Sequence, residues 1–80
     1  MKVTFYGKLA DLLGRELDVE VERPCTIGTL RKQLVAEHPG AAGSLDDRRV
    51  RACVENVLVS DDHRLTSGDA VEFLAPVSGG

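Results

Sequence analysis

The chain ends in Gly79-Gly80, and its terminal carboxylate is the group best suited to chemistry outside its own fold. Two residues without a Cβ leave that carboxylate uncrowded, and glycine adopts backbone angles and passes narrow channels that exclude other residues. Such an end can enter another protein's active site and be activated there, with the preceding domain as its handle. A frayed terminus is the bland alternative, because chain ends tolerate small residues. Other candidate groups are weaker. Asp61-Asp62-His63-Arg64 gathers acids beside an imidazole, but consecutive positions rarely converge on one ion, and the segment reads as a solvated turn. His38 falls at the end of a helical pattern, where a partly positive ring suits the dipole. Ser78 lacks a nucleophile-elbow signature, and no glycine-rich phosphate loop is present. Cys25 and Cys53 form no CxxC pair and are too few for a structural zinc site, so they read as reduced, small apolar residues.

A chain of 80 residues is expected to form one domain, 1–80, with a flexible tail at 76–80. Domains of this size bury only about 60% of their unfolded surface, so the core is modest. A net charge of −3 argues against nucleic acid as a partner, because phosphate binding relies on clustered cations. The cluster Arg48, Arg49 and Arg51 follows Asp46-Asp47 and reads as a solvated loop. No apolar run approaches the roughly 20 residues that span a bilayer. The opening Met1-Lys2-Val3-Thr4 resembles a strand rather than a secretory leader, which makes a cytoplasmic location the expectation.

Positioning the terminus falls to a small set of elements. Val3 and Phe5 alternate with polar neighbours, as do Leu17, Val19 and Val21, which predicts two strands around a short helical turn at Leu9 to Leu13. Pro24 ends the second strand. Thr26 is placed to cap a helix whose Ile27, Leu30 and Leu34 share a face, with Arg31, Lys32 and Gln33 largely on others. Pro39-Gly40 stops that helix near Glu37 or His38. Ala41 to Arg49 reads as loop, with a turn of helix around Leu45. Val50 to Val59 alternates about Glu55-Asn56, predicting a hairpin that faces Val54 with Val57 and Cys53 with Leu58. Val71 and Phe73 follow the turn at Ser67-Gly68-Asp69 as a last strand, which Pro76 ends. The order β-β-α-β-β-β predicts an α+β fold, a mixed sheet packed on one main helix in the β-grasp, or ubiquitin-like, arrangement.

Parity along the strands directs Val3, Phe5, Leu17, Val19, Val21, Val57, Val59, Val71 and Phe73 toward the helix. It sends Tyr6, Leu58 and Leu74 to the opposite face, with Cys53 beside Leu58. One helix covers one face, so the other should be polar. Three apolar residues there predict a partner site unless the loop at Ala41 to Leu45 covers them. From Pro76 to Gly80 an extended tail spans at most about 17 Å, enough to reach a neighbouring active site.

With these features in place, the chain resembles the small subunits of molybdopterin synthase, sulfur carriers of the ubiquitin-like superfamily. The resemblance covers nearly the whole length. It is densest in Leu58-Val59-Ser60, Asp62-His63, Leu65-Thr66, Gly68-Asp69 and Pro76-Val77-Ser78-Gly79-Gly80. Lys2-Val3-Thr4-Phe5-Tyr6 and Leu12-Leu13-Gly14 fit as well. It implies that an activating enzyme consumes ATP to adenylate the Gly80 carboxylate, and that a sulfur-donating enzyme supplies the sulfur for a thiocarboxylate. A large catalytic subunit then receives the tail, in a heterotetramer of two small and two large subunits. There the sulfur is delivered to cyclic pyranopterin monophosphate to build the dithiolene of molybdopterin. Carried over by position, Gly80 bears the sulfur, Gly79 is the slim approach, and Tyr6, Leu58 and Leu74 match interface positions. Tyr6 and Leu74 stand where phenylalanine can occur. Pro76, Val77 and Ser78 accompany the tail into the partner, and no cofactor stays bound. Other uses of the same end remain open: a carrier for thiamine, cysteine or tRNA thiolation, a ubiquitin-like modifier joined to lysine, or a non-covalent interaction domain.

Overall fold

A computed structural model describes residues 1–21, 25–47, 49–66 and 68–74. In chain order the elements are β1 (Lys2–Phe5), α1 (Lys8–Leu13), β2 (Glu16–Asp18), β3 (Cys25–Thr26) and α2 (Ile27–Glu37). A 3-10 turn (Pro39–Ala41), α3 (Ala42–Leu45), β4 (Arg51–Val54), β5 (Val57–Val59), β6 (Arg64–Leu65) and β7 (Ala70–Leu74) follow. Five strands form one mixed sheet in the order β2-β1-β7-β4-β5. Its central pair, β1 and β7, is parallel, with Val3 opposite Val71 and Phe5 opposite Phe73; its other pairs are antiparallel. A parallel pair requires a long crossover, and here nearly all of the intervening chain supplies it. The result is the expected β-grasp: a mixed sheet on one main helix.

The core lies between that helix and one face of the sheet. Val3, Phe5, Ala52, Val54, Val71 and Phe73 meet Leu9, Ile27, Leu30, Leu34 and Leu45. The Phe5 and Phe73 rings stack with centroids 6.0 Å apart, as their register requires. Helix α2 starts where Thr26 Oγ1 accepts from the Thr29 amide at 3.2 Å, a cap that stabilises by about 1 kcal/mol. The carbonyls of the loop after β5 serve the same end. The amide of Ile27 donates to His63 O at 3.1 Å and that of Gly28 to Asp61 O at 2.8 Å. A Cβ on Gly28 would lie 3.3 Å from that Asp61 oxygen, a tight contact that glycine avoids.

The β4–β5 hairpin has the expected register, Val54 opposite Val57 and Cys53 opposite Leu58. Glu55 and Asn56 both take positive φ, 52° and 65°, which matches the twist of the flanking strands. Asn56 suits that region, whereas Glu55 enters it at a cost of about 1 kcal/mol.

Four expectations need correction. The second strand, expected to run through Val19 and Val21, ends at Asp18. Val57, assigned inward by parity, is 61% exposed; it lies where the sheet's edge strand meets a turn, with a neighbouring strand on one side only. The turn of helix expected around Leu45 is present as α3, preceded by the 3-10 turn, and Ala41 and Leu45 join the core on the helix side. It therefore leaves the opposite sheet face uncovered. Asp61 and Asp62 do form an exposed turn, but Arg64 and Leu65 pair with Thr26 and Cys25 in a small second sheet. Two-residue strands are too short to show any periodicity. Arg31, expected largely off the face of Ile27, Leu30 and Leu34, points into the structure, as described below. The expected signals at Pro24 and Ser67 lie outside the described residues.

Candidate functional site on the outer sheet face

Strand register assembles the face turned away from α2. Side chains alternate across a strand, so the pairs Thr4–Glu72, Glu72–Cys53 and Cys53–Leu58 set four residues in one row across β1, β7, β4 and β5. Tyr6 and Leu74 each stand one residue beyond the Phe5–Phe73 pair, and Leu74 lies opposite Arg51. Tyr6 is 42% and Leu58 52% exposed, Leu74 is half-buried and Cys53 buried. Tyr6 and Leu74 thus end adjacent strands, while Leu58 lies farther across the face with Cys53 and Arg51 of β4 between.

Glu72 sits among these residues, a placement that sequence parity allowed but did not single out. The Tyr6 hydroxyl donates to Glu72 Oε2 at 2.5 Å. That hydrogen bond, more than any other influence, raises the tyrosine pKa above its ordinary value. Tyr6 therefore stays a protonated donor at neutral pH. At the far side of the sheet Lys2 pairs with Glu16 at 3.4 Å.

The described chain offers no rival centre of chemistry. Burial pushes the Cys25 thiol above its ordinary pKa, which disfavours the nucleophilic thiolate. No group of three His, Cys, Asp or Glu side chains is placed to hold a metal among the described residues. A hollow of about 470 Å³ is lined by Arg31, Asp46, Arg51, Ser60 and Asp61, but Arg31 there is committed to structure. Its guanidinium donates to Leu45 O at 2.8 Å, Val50 O at 3.2 Å and Asp61 Oδ1 at 3.0 Å. It also lies 5.4 Å from the Phe73 ring centroid. The available signal was spacing: Arg31 is four residues after Ile27 and so shares the buried stripe of α2.

Pro76, Val77, Ser78, Gly79 and Gly80 lie outside the described residues. The chain enters that segment directly from β7, whose last residue is Leu74 of the outer face. No helix among the described residues is long and apolar enough to cross a membrane.

The ThiS family profile matches residues 3–80. The molybdopterin synthase sulfur carrier subunit of Escherichia coli (strain K12) is 38% identical over 81 aligned residues, covering 100% of this chain and 99% of that protein. Among solved structures, SAMP1 from Haloferax volcanii superposes with a TM-score of 0.84 at 23% identity, covering 99% of this chain and 97% of that one. The complex of subunits 1 and 2 of the molybdopterin-converting factor from Helicobacter pylori contains a chain with a TM-score of 0.67 at 21% identity, covering 99% and 96%. These structural likenesses establish the β-grasp, ubiquitin-like fold.

Proposed function

This chain belongs to the ThiS family, and on that premise we propose that it is the sulfur carrier subunit of a molybdopterin synthase. The end-to-end similarity to a protein of that name carries the reading. The exposed outer face, with Leu74 at the root of the tail, supports it.

In this scheme the Gly80 carboxylate attacks the α-phosphate of ATP on an activating enzyme, releasing pyrophosphate and leaving an acyl adenylate. Sulfide-level sulfur supplied by a sulfur-donating enzyme then bonds to the acyl carbon as AMP leaves, and Gly80 becomes a thiocarboxylate. A bare carboxylate resists substitution until adenylation gives it a good leaving group, and its thio analogue is the better nucleophile. Tyr6, Leu58 and Leu74 dock on the large catalytic subunit, while Pro76, Val77 and Ser78 lead Gly79-Gly80 into its pocket. Docking makes sulfur delivery to cyclic pyranopterin monophosphate effectively intramolecular. Two deliveries build the dithiolene, in an assembly of two small and two large subunits in the cytoplasm. The chain alone catalyses nothing, and ATP is spent on the activating enzyme.

Mass spectrometry of the intact protein tests the scheme. After incubation with the activating enzyme, ATP and a sulfur donor, the mass rises by the difference between oxygen and sulfur. A chain lacking Gly80 folds but is not converted. An unchanged mass, under conditions that convert the Escherichia coli carrier, defeats the proposal. Lysine-linked adducts instead of a thiocarboxylate would mark a modifier.

A further inference from the structure

Glu72 places a carboxylate among the apolar residues Tyr6, Leu58 and Leu74 of a mixed outer face. Register puts Thr4 on one side of it and Cys53 on the other, with Leu74 next along β7 on the same face. The Tyr6 hydroxyl satisfies Oε2. An ionised carboxylate has about four acceptor sites, so one donor leaves most of its capacity to water. Among the described residues Glu72 forms no ion pair: Lys2 is paired with Glu16, the exposed Arg51 lies opposite Leu74, and Arg15, near enough to act on the Tyr6 hydroxyl, makes no salt bridge to Glu72. Any partner covering Tyr6, Leu58 and Leu74 also covers Glu72 and strips that water. A buried carboxylate without a countercharge opposes association.

We propose that Glu72 is the specificity-determining residue of the docking face, and that the partner places an arginine or lysine side chain against it. Tyr6 acts as the positioning residue. Its hydroxyl, reaching across from the end of β1, holds the carboxylate and leaves Oε1 for the incoming cation. A partner with an apolar residue at that point is rejected, because it would desolvate Glu72 without replacing the lost hydrogen bonds. The inference rests on the docking reading above and adds the chemistry of the opposing surface.

The test measures binding of the full chain to the large molybdopterin synthase subunit encoded in the same genome, alongside thermal melts that verify folding. Glu72→Gln keeps the shape and an acceptor for Tyr6 but removes the charge, and weakens binding by about 10-fold or more. Glu72→Lys sets like charges together and weakens it by about 100-fold. Tyr6→Phe frees the carboxylate and weakens binding by about 3-fold. Rising salt weakens the unsubstituted complex more steeply than the Glu72→Gln complex. Equal or tighter binding by Glu72→Gln overturns the inference while leaving the docking reading intact, because relief from desolvation is what an apolar opposing surface predicts. Absence of binding by the unsubstituted chain, in an assay where the Escherichia coli pair associates, overturns both.

Discussion

The inner and outer faces of the sheet are made by alternate residues of the same strands, yet they are built on different rules. Inward, Val3, Phe5, Val71 and Phe73 are fully buried and matched to the helical layer. Outward, one position away in each case, Thr4, Tyr6, Glu72 and Leu74 mix polar and apolar groups, and Tyr6 spends its hydroxyl on Glu72. The inner face gains from removing water and leaves little tolerance for altered volume. The outer face keeps water available to its charged group and, on the function proposed above, is the face a partner covers. Burial therefore concentrates on one side of a single strand, and the proposed docking surface lies on the other.

Substitutions sharpen or break that division. The largest loss of stability is expected from Phe73→Ala, about 3–5 kcal/mol, because Phe73 stacks on Phe5 and underlies the Arg31 guanidinium. Urea unfolding followed by circular dichroism measures it, and a loss below about 1 kcal/mol would place the core elsewhere. Arg31→Met comes next, at about 2–3 kcal/mol, since it orphans the Leu45 and Val50 carbonyls. Arg31→Lys should recover little of this, because an ammonium cannot reproduce the planar fork. Leu58→Asp, on the outer face, should change stability by no more than about 0.5 kcal/mol while weakening large-subunit binding about 10-fold. Leu58→Asp unfolding the chain while the folded fraction binds normally would erase the contrast between the faces.

The smallest effect belongs to a surface loop outside both faces. Arg49 clamps Asp47 through Nε to Oδ1 at 3.1 Å and a second guanidinium nitrogen to Oδ2 at 2.9 Å, and the Arg49 amide adds a bond to Oδ1. The Arg49 side chain, foremost, lowers the Asp47 pKa from 3.8 to about 2. A carboxyl depressed in the folded state contributes stability above its unfolded pKa and loses it as pH falls through the folded one. Asp47→Asn should therefore be slightly less stable than the unsubstituted chain near neutrality. The difference should close between about pH 4 and 2, read from melting temperatures across that range.

Thr26, Pro39 and the Ile27–Leu30–Leu34 stripe sufficed to place α2, because caps, breakers and helical periodicity act over a few residues. Alternation about Glu55-Asn56 likewise determined the hairpin register, since a two-residue turn leaves little freedom in the pairing. The placement of Tyr6, Leu58 and Leu74 on the outer face was legible too, from strand parity. Tertiary structure alone decided that β1 lies beside β7, which groups Arg31 braces (Leu45, Val50 and Asp61), and that Val57 remains exposed at an edge. It alone joined Tyr6 to Glu72 across a sequence separation of 66. Local patterns assign a residue to a face, but which residues meet there depends on strand order. Strand order is set by how the entire chain closes around one helix.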